Sequence, residues 1–231
     1  MASEQDEDSG HPDLLRWSET LSSVARTGLS FSDSVYEKER YEEILHVAGD
    51  MAAAAVEEHD RESLVEHWLA DVGQGIAGYV TPKIAIGAVV GNDDGQILLI
   101  QRSDSGIWLY PTGWADVGYS PAEVAIKEVQ EETGIDVEVR RLIGVFDGMR
   151  LGFGAVPMYS LVFHCHAVGG SLEPHPLEVL DAAWFDQTDV PEPVSRFGHW
   201  GDHAFAAIRG DDVGVLYDQP RDAVWRSPDA G

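Results

Sequence analysis

The sequence of 231 residues is poor in cysteine, in cationic side chains and in long apolar runs. Its one cysteine, Cys165, excludes an intramolecular disulfide framework and is typical of a reducing compartment, so we expect a cytoplasmic protein. No run of about 18 apolar residues is present, which argues against a membrane span. The first residues are acidic and lack the basic and apolar parts of a signal peptide.

The chain has few positively charged side chains. Lys and Arg together number 15 against 41 Asp and Glu, which gives a formal net charge of −26. Such a field repels nucleic acid and anionic membranes, so we expect neither as a partner. The acidic residues are spread along the whole chain, and this favours adaptation to high salt over an ordinary acidic protein. The lysines are Lys38, Lys83 and Lys127.

The first third of the chain has the periodicity of helices. Apolar residues recur at intervals of three and four from Leu14 to Val24, which predicts a helix that Thr27-Gly28 ends. A second helix is predicted roughly from Ser34 to Glu58, and a third carries Leu64 and Trp68. Glycines then break the pattern and indicate a domain boundary: Gly73, Gly75 and Gly78.

The pattern changes to strands after about residue 79. Segments 83–90 and 96–100 are predicted to be strands joined by a turn at 92–95, and helices are expected only at 120–133 and around 199–208. This predicts an α+β fold with a mixed sheet, preceded by a small N-terminal helical domain. The expected divisions are a disordered acidic tail at 1–11, the helical domain at 12–78, the sheet domain at 79–218 and a C-terminal tail at 219–231.

The helix at 120–133 carries the strongest local signals. Ser120 suits the N-cap, Pro121 the first helical position, and Glu123 completes a capping box. Thr133-Gly134 ends the helix, with glycine at the left-handed position.

Three glutamates of this helix, Glu128, Glu131 and Glu132, lie at spacings that place them on one face. Three like charges repel one another, so a counter-charge is expected. Lys127 is one candidate, and a divalent cation is a better one, because carboxylate oxygens select Mg²⁺ or Mn²⁺ over soft metals. The alternative is a solvated acidic face in an acidic protein.

Residues 113–135 resemble the Nudix box. The match runs from Gly113 through the glutamates to Gly134 and Ile135, and its spacing holds over 23 residues. The resemblance implies the α/β/α sandwich of that family, and it implies hydrolysis of a diphosphate bond. Two positions depart from the family pattern. The first glutamate of the box is Tyr119 here, and its arginine is Lys127, which keeps the charge but loses the bidentate fork.

The N-terminal segment is similar to the helical segment of one Nudix subgroup. The resemblance rests on the stretches 14–17, 27–31 and 37–41 and on the junction at 78–83. That subgroup includes enzymes that act on nucleoside diphosphates linked to another group, such as ADP-ribose and CDP-choline. The resemblance therefore implies a small-molecule nucleoside diphosphate derivative as substrate, and a homodimer formed through the N-terminal helices.

The family's chemistry implies roles for particular residues. Glu128, Glu131 and Glu132 are expected to hold Mg²⁺ or Mn²⁺ together with the Gly113 carbonyl, while Lys127 balances charge. The general base varies between subfamilies, and Glu131 and Glu178 are both candidates. A plain surface acid in a loop is the alternative reading of Glu178.

Four further residues are candidates for substrate binding. Trp114 and Asp116 lie in the loop before the helix, and Asp147 and Arg150 follow the end of a strand. For the whole protein, two alternatives to hydrolysis remain open. An isomerase would need more acid, cysteine or metal-binding residues, and only Cys165 is present. A non-catalytic ligand sensor is favoured by the departures at Tyr119 and Lys127, but the three metal-ligand glutamates and the lack of a basic DNA-binding segment argue against it.

Overall fold

A computed structural model describes residues 12–56, 60–72, 80–116, 118–151 and 156–221 of the chain. The described residues form two compact units. The first ends at Pro82 and also includes residues 156–157, and the second begins at Lys83 and includes the other described residues. The expected tail at 1–11, the glycine-rich boundary around residue 78 and most of the expected tail at 219–231 lie outside the described residues. The domain limits therefore stay predictions.

The first unit consists of three helices, α1 (Pro12–Phe31), α2 (Val35–Ala55) and α3 (Arg61–Ala70). Ser34 caps α2 by accepting a hydrogen bond from the Glu37 amide, and Asp60 caps α3 in the same way. Small residues bring α1 close to α2, so that the Ser18 hydroxyl donates to the Ala48 carbonyl at 2.7 Å. The helices enclose a core of their own: Ala25, Leu29, Leu45, Ala48, Val65 and Trp68.

Two predicted helix ends are wrong. Helix α1 continues through Thr27-Gly28 to Phe31, because Gly28 permits close packing instead of breaking the helix. A β-carbon at Gly28 would lie 2.3 Å from the ring of Tyr41, so only glycine fits under that ring. Helix α2 ends at Ala55 rather than near Glu58, since Val56 already has an extended backbone.

The second unit is built on an eight-stranded mixed sheet. Its strands follow the order β3-β2-β1-β6-β5-β8, while β4 pairs with β1 and β7 pairs with β2. The β1–β6 and β5–β8 pairs are parallel, and the others are antiparallel. The strands are β1 (Lys83–Gly91), β2 (Ile97–Arg102), β3 (Trp108–Leu109), β4 (Thr112–Trp114), β5 (Ile135–Asp147), β6 (Met158–Gly170), β7 (Val179–Phe185) and β8 (Leu216–Tyr217).

One helix covers each face of the sheet. Helix α4 (Pro121–Thr133) packs Val124, Ala125 and Val129 against Ile86, Val90 and neighbouring strand residues in one buried cluster. Helix α5 (Phe197–Ile208) lies on the other face, where the Trp200 ring meets the Tyr110 ring edge-on. This α/β/α arrangement after a helical segment confirms the predicted fold class.

Two connections bring loops to helix α4. Strand β4 pairs with β1 so that Gly113 lies opposite Ile86, and the chain then enters the loop that leads to α4. After β6, the chain returns along the end of α4, where the amides of Glu173 and His175 donate to the carbonyls of Thr133 and Glu132. Both loops therefore lie beside the glutamates of α4. No helix in the described ranges has the length and apolar character that a membrane crossing requires.

Candidate active site

The start of helix α4 fixes the direction in which its glutamates point. The Ser120 hydroxyl accepts from the Glu123 amide at 3.3 Å, and the Glu123 carboxylate accepts from the Ser120 amide at 2.6 Å. At the other end, Gly134 adopts the left-handed conformation, with φ of 74°. The capping box and the glycine end are thus confirmed, and they set the register of the helix.

The carboxylate of Glu128 lies against the backbone of Gly113. A β-carbon at Gly113 would come within 2.2 Å of the carboxyl carbon of Glu128. The side chain of Glu128 is only 14% exposed. Burial raises the pKa of Glu128, and the neighbouring Lys127 ammonium partly opposes that rise.

Glu132 is the most deeply buried acid of the helix. Its carboxylate accepts a hydrogen bond from the Thr112 amide at 2.9 Å, and the residue is 5% exposed. The pKa of Glu132 is raised to about 8, chiefly by burial; the hydrogen bond from the Thr112 amide opposes the rise, and the nearby Glu128 carboxylate contributes to it. Two desolvated carboxyl groups side by side are costly to ionise without a cation between or beside them.

The carboxylate of Glu131 is paired with Lys127. Its carboxylate accepts from the Lys127 ammonium at 2.9 Å, one helical turn away, and its side chain is 52% exposed. The same ammonium lies 3.3 Å from the Asp116 carboxylate and 3.8 Å from that of Glu128. The hydrogen bond to Glu131, followed by the one to Asp116, raises the pKa of Lys127.

Glu178 lies at the start of β7, within electrostatic range of Glu128 and Glu132, and its charge raises the pKa of both. The Ser103 amide donates to the Glu178 carbonyl at 2.9 Å, which fixes the backbone there. The Glu178 side chain is 66% exposed, and its carboxylate lies 3.9 Å from Nδ1 of His175. Its charge therefore acts on the helix acids although its side chain is exposed, and a part for Glu178 in catalysis stays a prediction.

The donor set fits a hard divalent cation in its chemistry. Buried carboxylates whose pKa is raised by desolvation gain most from a cation, and carboxylate oxygens are the ligands that Mg²⁺ and Mn²⁺ prefer. In the described part of the chain, however, no three His, Cys, Asp or Glu side chains converge closely enough to hold a metal ion. Glu128 and Glu132 lie together, while Glu131 is turned toward Lys127.

The aromatic residues of the loop before α4 are accessible. Trp114 is 50% exposed, and the Lys83 ammonium lies 5.9 Å from the centre of its ring. Tyr119 is 54% exposed, and its amide donates to the Asp116 carbonyl at 3.3 Å. Trp114 thus follows Gly113 directly and Asp116 pairs with Lys127, while a part for either in substrate binding stays a prediction.

Asp147 and Arg150 make different contacts. The Asp147 carboxylate accepts from the amides of Met149 and Arg150, and the Asp147 amide donates to the Asp218 carboxylate. The Arg150 guanidinium donates to the Gln219 carbonyl at 2.7 Å. Both residues hold the segment that follows β8, and a part for them in substrate binding stays a prediction.

Sequence reasoning missed Arg102 and Thr112. The Arg102 guanidinium makes a two-pronged contact with Asp104, at 3.1 and 2.7 Å, and lies within electrostatic range of Glu132 and Glu178. No sequence pattern pointed to Arg102, because its position near these acids depends on the pairing of β2 with β7. Thr112 contacts Glu132 through its backbone amide, and the identity of a side chain does not predict such a contact.

Two family profiles match the chain. One, described as "NUDIX domain", matches residues 81–206. The other, described as "UDP-X-like, N-terminal oligomerisation domain", matches residues 12–67. Together they cover both units of the structure.

Individual proteins and structures agree with these profiles. The chain is 34% identical to the putative ADP-ribose pyrophosphatase YjhB of Bacillus subtilis over 183 residues, which is 78% of this chain and 84% of that protein. A crystal structure of a UDP-X diphosphatase matches 89% of this chain and 98% of its own, with a TM-score of 0.54 and 26% identity. An ADP-ribose pyrophosphatase from Streptococcus suis matches 60% of this chain and 100% of its own, with a TM-score of 0.53 and 28% identity.

Proposed function

The chain belongs to the Nudix hydrolase family, and on that premise we propose that it hydrolyses the diphosphate bond of a nucleoside diphosphate linked to another group. The observation that carries the proposal is the pair of buried carboxyl groups, Glu128 and Glu132, beside the backbone of Gly113 and the loop acid Glu178. A hydrolase needs both a place for a cation and an acid or base that water can reach.

The cofactor in this proposal is Mg²⁺ or Mn²⁺. Glu128, Glu131 and Glu132 would hold it with the Gly113 carbonyl, as the resemblance of residues 113–135 implies. When bound, such a cation neutralises diphosphate charge and lowers the pKa of water. The negative field of the chain otherwise opposes an anionic substrate, so local positive charge is essential to binding.

The proton of the attacking water goes to a carboxylate as oxygen bonds to phosphorus and the diphosphate P–O bond breaks. Glu178 and Glu131 are the two candidates for this base. Glu178 is accessible to solvent and hydrogen-bonded through its backbone to Ser103, which holds its position. Glu131 is accessible as well, but its carboxylate is engaged by Lys127. We favour Glu178 on this ground.

The substrate class rests on the relatives. Two of them are called ADP-ribose pyrophosphatases, one putatively, and a third is called a UDP-X diphosphatase. ADP-ribose-like and CDP-choline-like compounds are therefore the first to test. The exposed Trp114 ring, with the Lys83 ammonium over it, offers a flat surface for a nucleobase.

We further propose that the protein is a cytoplasmic homodimer adapted to high salt. The N-terminal match is described as an oligomerisation domain, and α1 carries exposed Trp17 and Val24 seven residues apart on one face. These two side chains lie off the α1 face that packs on α2, so they are the part of the helix that a second copy would cover.

A non-catalytic sensor is the second candidate. It is favoured by Tyr119, which removes one acid from the box, and by the ion pair that engages Glu131. The experiment that separates the two is product release from a panel of nucleoside diphosphate derivatives, with and without Mg²⁺, at low and molar KCl. Turnover that needs Mg²⁺ and collapses in Glu128→Gln supports the hydrolase. Absence of turnover in a folded protein, with ligand binding retained, supports the sensor.

A further inference from the structure

Lys127 occupies an unusual position for one of three lysines in so acidic a chain. Its ammonium lies among three carboxylates, those of Glu131 at 2.9 Å, Asp116 at 3.3 Å and Glu128 at 3.8 Å. It thus supplies positive charge beside the acids to which the resemblance of residues 113–135 assigns a metal. The side chain is 30% exposed, so it is partly shielded from water.

Asp116 approaches Lys127 from the loop that precedes α4. The Tyr119 amide donates to the Asp116 carbonyl at 3.3 Å, and the Asp116 carboxylate pairs with the Lys127 ammonium. The ammonium is therefore held from the loop as well as from the helix. An ammonium held on two sides is a more persistent partner for Glu131 than a single surface pair would be.

The ion pair with Lys127 gives Glu131 surroundings that differ from those of Glu128 and Glu132. Glu128 and Glu132 are buried beside Gly113 and Thr112, whereas Glu131 is half exposed and faces Lys127. In the described ranges no three His, Cys, Asp or Glu side chains converge, and Glu131 is paired with Lys127.

We propose that Lys127 is a positioning residue that holds the Glu131 carboxylate in an ion pair, so that a divalent cation is bound first by Glu128 and Glu132 and recruits Glu131 only by breaking that pair. The inference rests on the proposed metal-dependent function. A partly exposed ion pair at this helical spacing corresponds to a factor of about two to five in an equilibrium constant, and the additional hold of Asp116 increases that factor.

The test is a double-mutant cycle on Mn²⁺ affinity, measured without substrate by the electron paramagnetic resonance of free Mn²⁺. Glu131→Gln is made in the native protein, in Lys127→Met and in the charge-matched control Lys127→Arg. We expect Glu131→Gln to weaken Mn²⁺ binding less than about twofold in the native and Lys127→Arg proteins, where the cation side chain already engages Glu131. In Lys127→Met, where Glu131 is released, the same change weakens binding by about fivefold or more.

Equal factors in the native and Lys127→Met backgrounds would overturn the inference and leave the proposed function intact. Absence of Mn²⁺ binding in every background would overturn both. Thermal melting followed by circular dichroism verifies that each variant is folded. Lys127→Gln provides a second neutral variant in case the methionine variant does not fold, and it carries the same expectation.

Discussion

The α-carbon of Gly113 lies so close to the carboxylate of Glu128 that a side chain at position 113 would take the carboxylate's place. This contact joins strand β4 to helix α4 at the point where the proposed metal ligands meet. The atoms in conflict are at the end of a flexible side chain, and the backbone around them is not involved. A substitution at Gly113 should therefore displace the Glu128 carboxylate while leaving the fold largely unchanged.

We expect Gly113→Ala to lower kcat/KM by about 100-fold, because a carboxylate displaced by an ångström loses its alignment with the reacting groups. The melting temperature should change little, since the Glu128 side chain can rotate into solvent. Enzyme kinetics with the best substrate of the panel and thermal melting check the two halves of this prediction. Gly198→Ala in α5 is the matched control, because its β-carbon meets nothing within 4 Å. A large fall in melting temperature for Gly113→Ala alone would contradict the prediction.

Metal binding should release a proton below about pH 8. Burial raises the pKa of Glu132 to about 8, so the carboxyl group is largely protonated at pH 6.5 and must ionise to bind a cation. The affinity for Mn²⁺ should therefore rise with pH, by up to about tenfold per unit, and level off above pH 8. Calorimetric titration in two buffers of different ionisation enthalpy measures the protons released. A binding enthalpy that is the same in both buffers at pH 6.5 would count against this.

Glu19 should make the stability of the N-terminal helices depend on pH. Burial raises its pKa to about 7, while the nearby Arg26 lowers it only in part. Because the folded state binds this proton more tightly, its stabilising contribution is present below about pH 4.5 and is lost as the pH rises through 7. The loss is about 1–3 kcal/mol by the usual conversion of a pKa shift.

Glu19→Gln should accordingly flatten the dependence of the free energy of unfolding on pH between about 4.5 and 7. Urea denaturation at a series of pH values, followed by far-ultraviolet circular dichroism, provides the measurement. Glu39→Gln is the control, because Glu39 is an exposed acid on α2 and should leave the slope as it is. Parallel slopes for the native protein and Glu19→Gln would refute the assignment.

The proposed dimer contact can be tested on the exposed face of α1. Introducing a charge at Trp17 or Val24 places it in an apolar contact, so we expect Trp17→Glu and Val24→Glu to weaken dimerisation at least about tenfold. Sedimentation velocity over a range of concentrations measures the effect. Val47→Glu on α2 is the control, since Val47 is comparably exposed but lies on another helix. A native protein that sediments as a monomer, or variants that dimerise normally, would exclude this contact.

Local signals predicted the helix at the centre of the site. Ser120 and Glu123 mark its first end, and Gly134 marks its last. These residues contact only near neighbours in the chain, so their effect can be predicted without knowing the fold. The expected helix at 120–133 and the observed Pro121–Thr133 therefore agree. The individual strands were predicted from apolar runs and turn residues, and the fold class was confirmed.

Contacts between distant residues were beyond the reach of these patterns. Gly28 was expected to end a helix, but the Tyr41 ring, thirteen positions along the chain, makes it an interior packing residue. Equal spacing suggested equal roles for the three glutamates of α4, yet Thr112 and Gly113 bury two of them while Lys127 engages the third. The site of Arg102 likewise depends on how β2 and β7 pair, which periodicity does not encode.

The loop that precedes Glu178 is attached to helix α4 through main-chain atoms. Ser171, Glu173 and His175 donate their amides to Gly134, Thr133 and Glu132, so the path of the loop does not depend on which side chains it carries. The side chains of this loop can therefore be exchanged, in natural variants or by design, while the carboxylate at its end keeps its place. Such a loop allows the surface around the proposed base to diversify while the backbone that carries Glu178 stays attached to the end of α4.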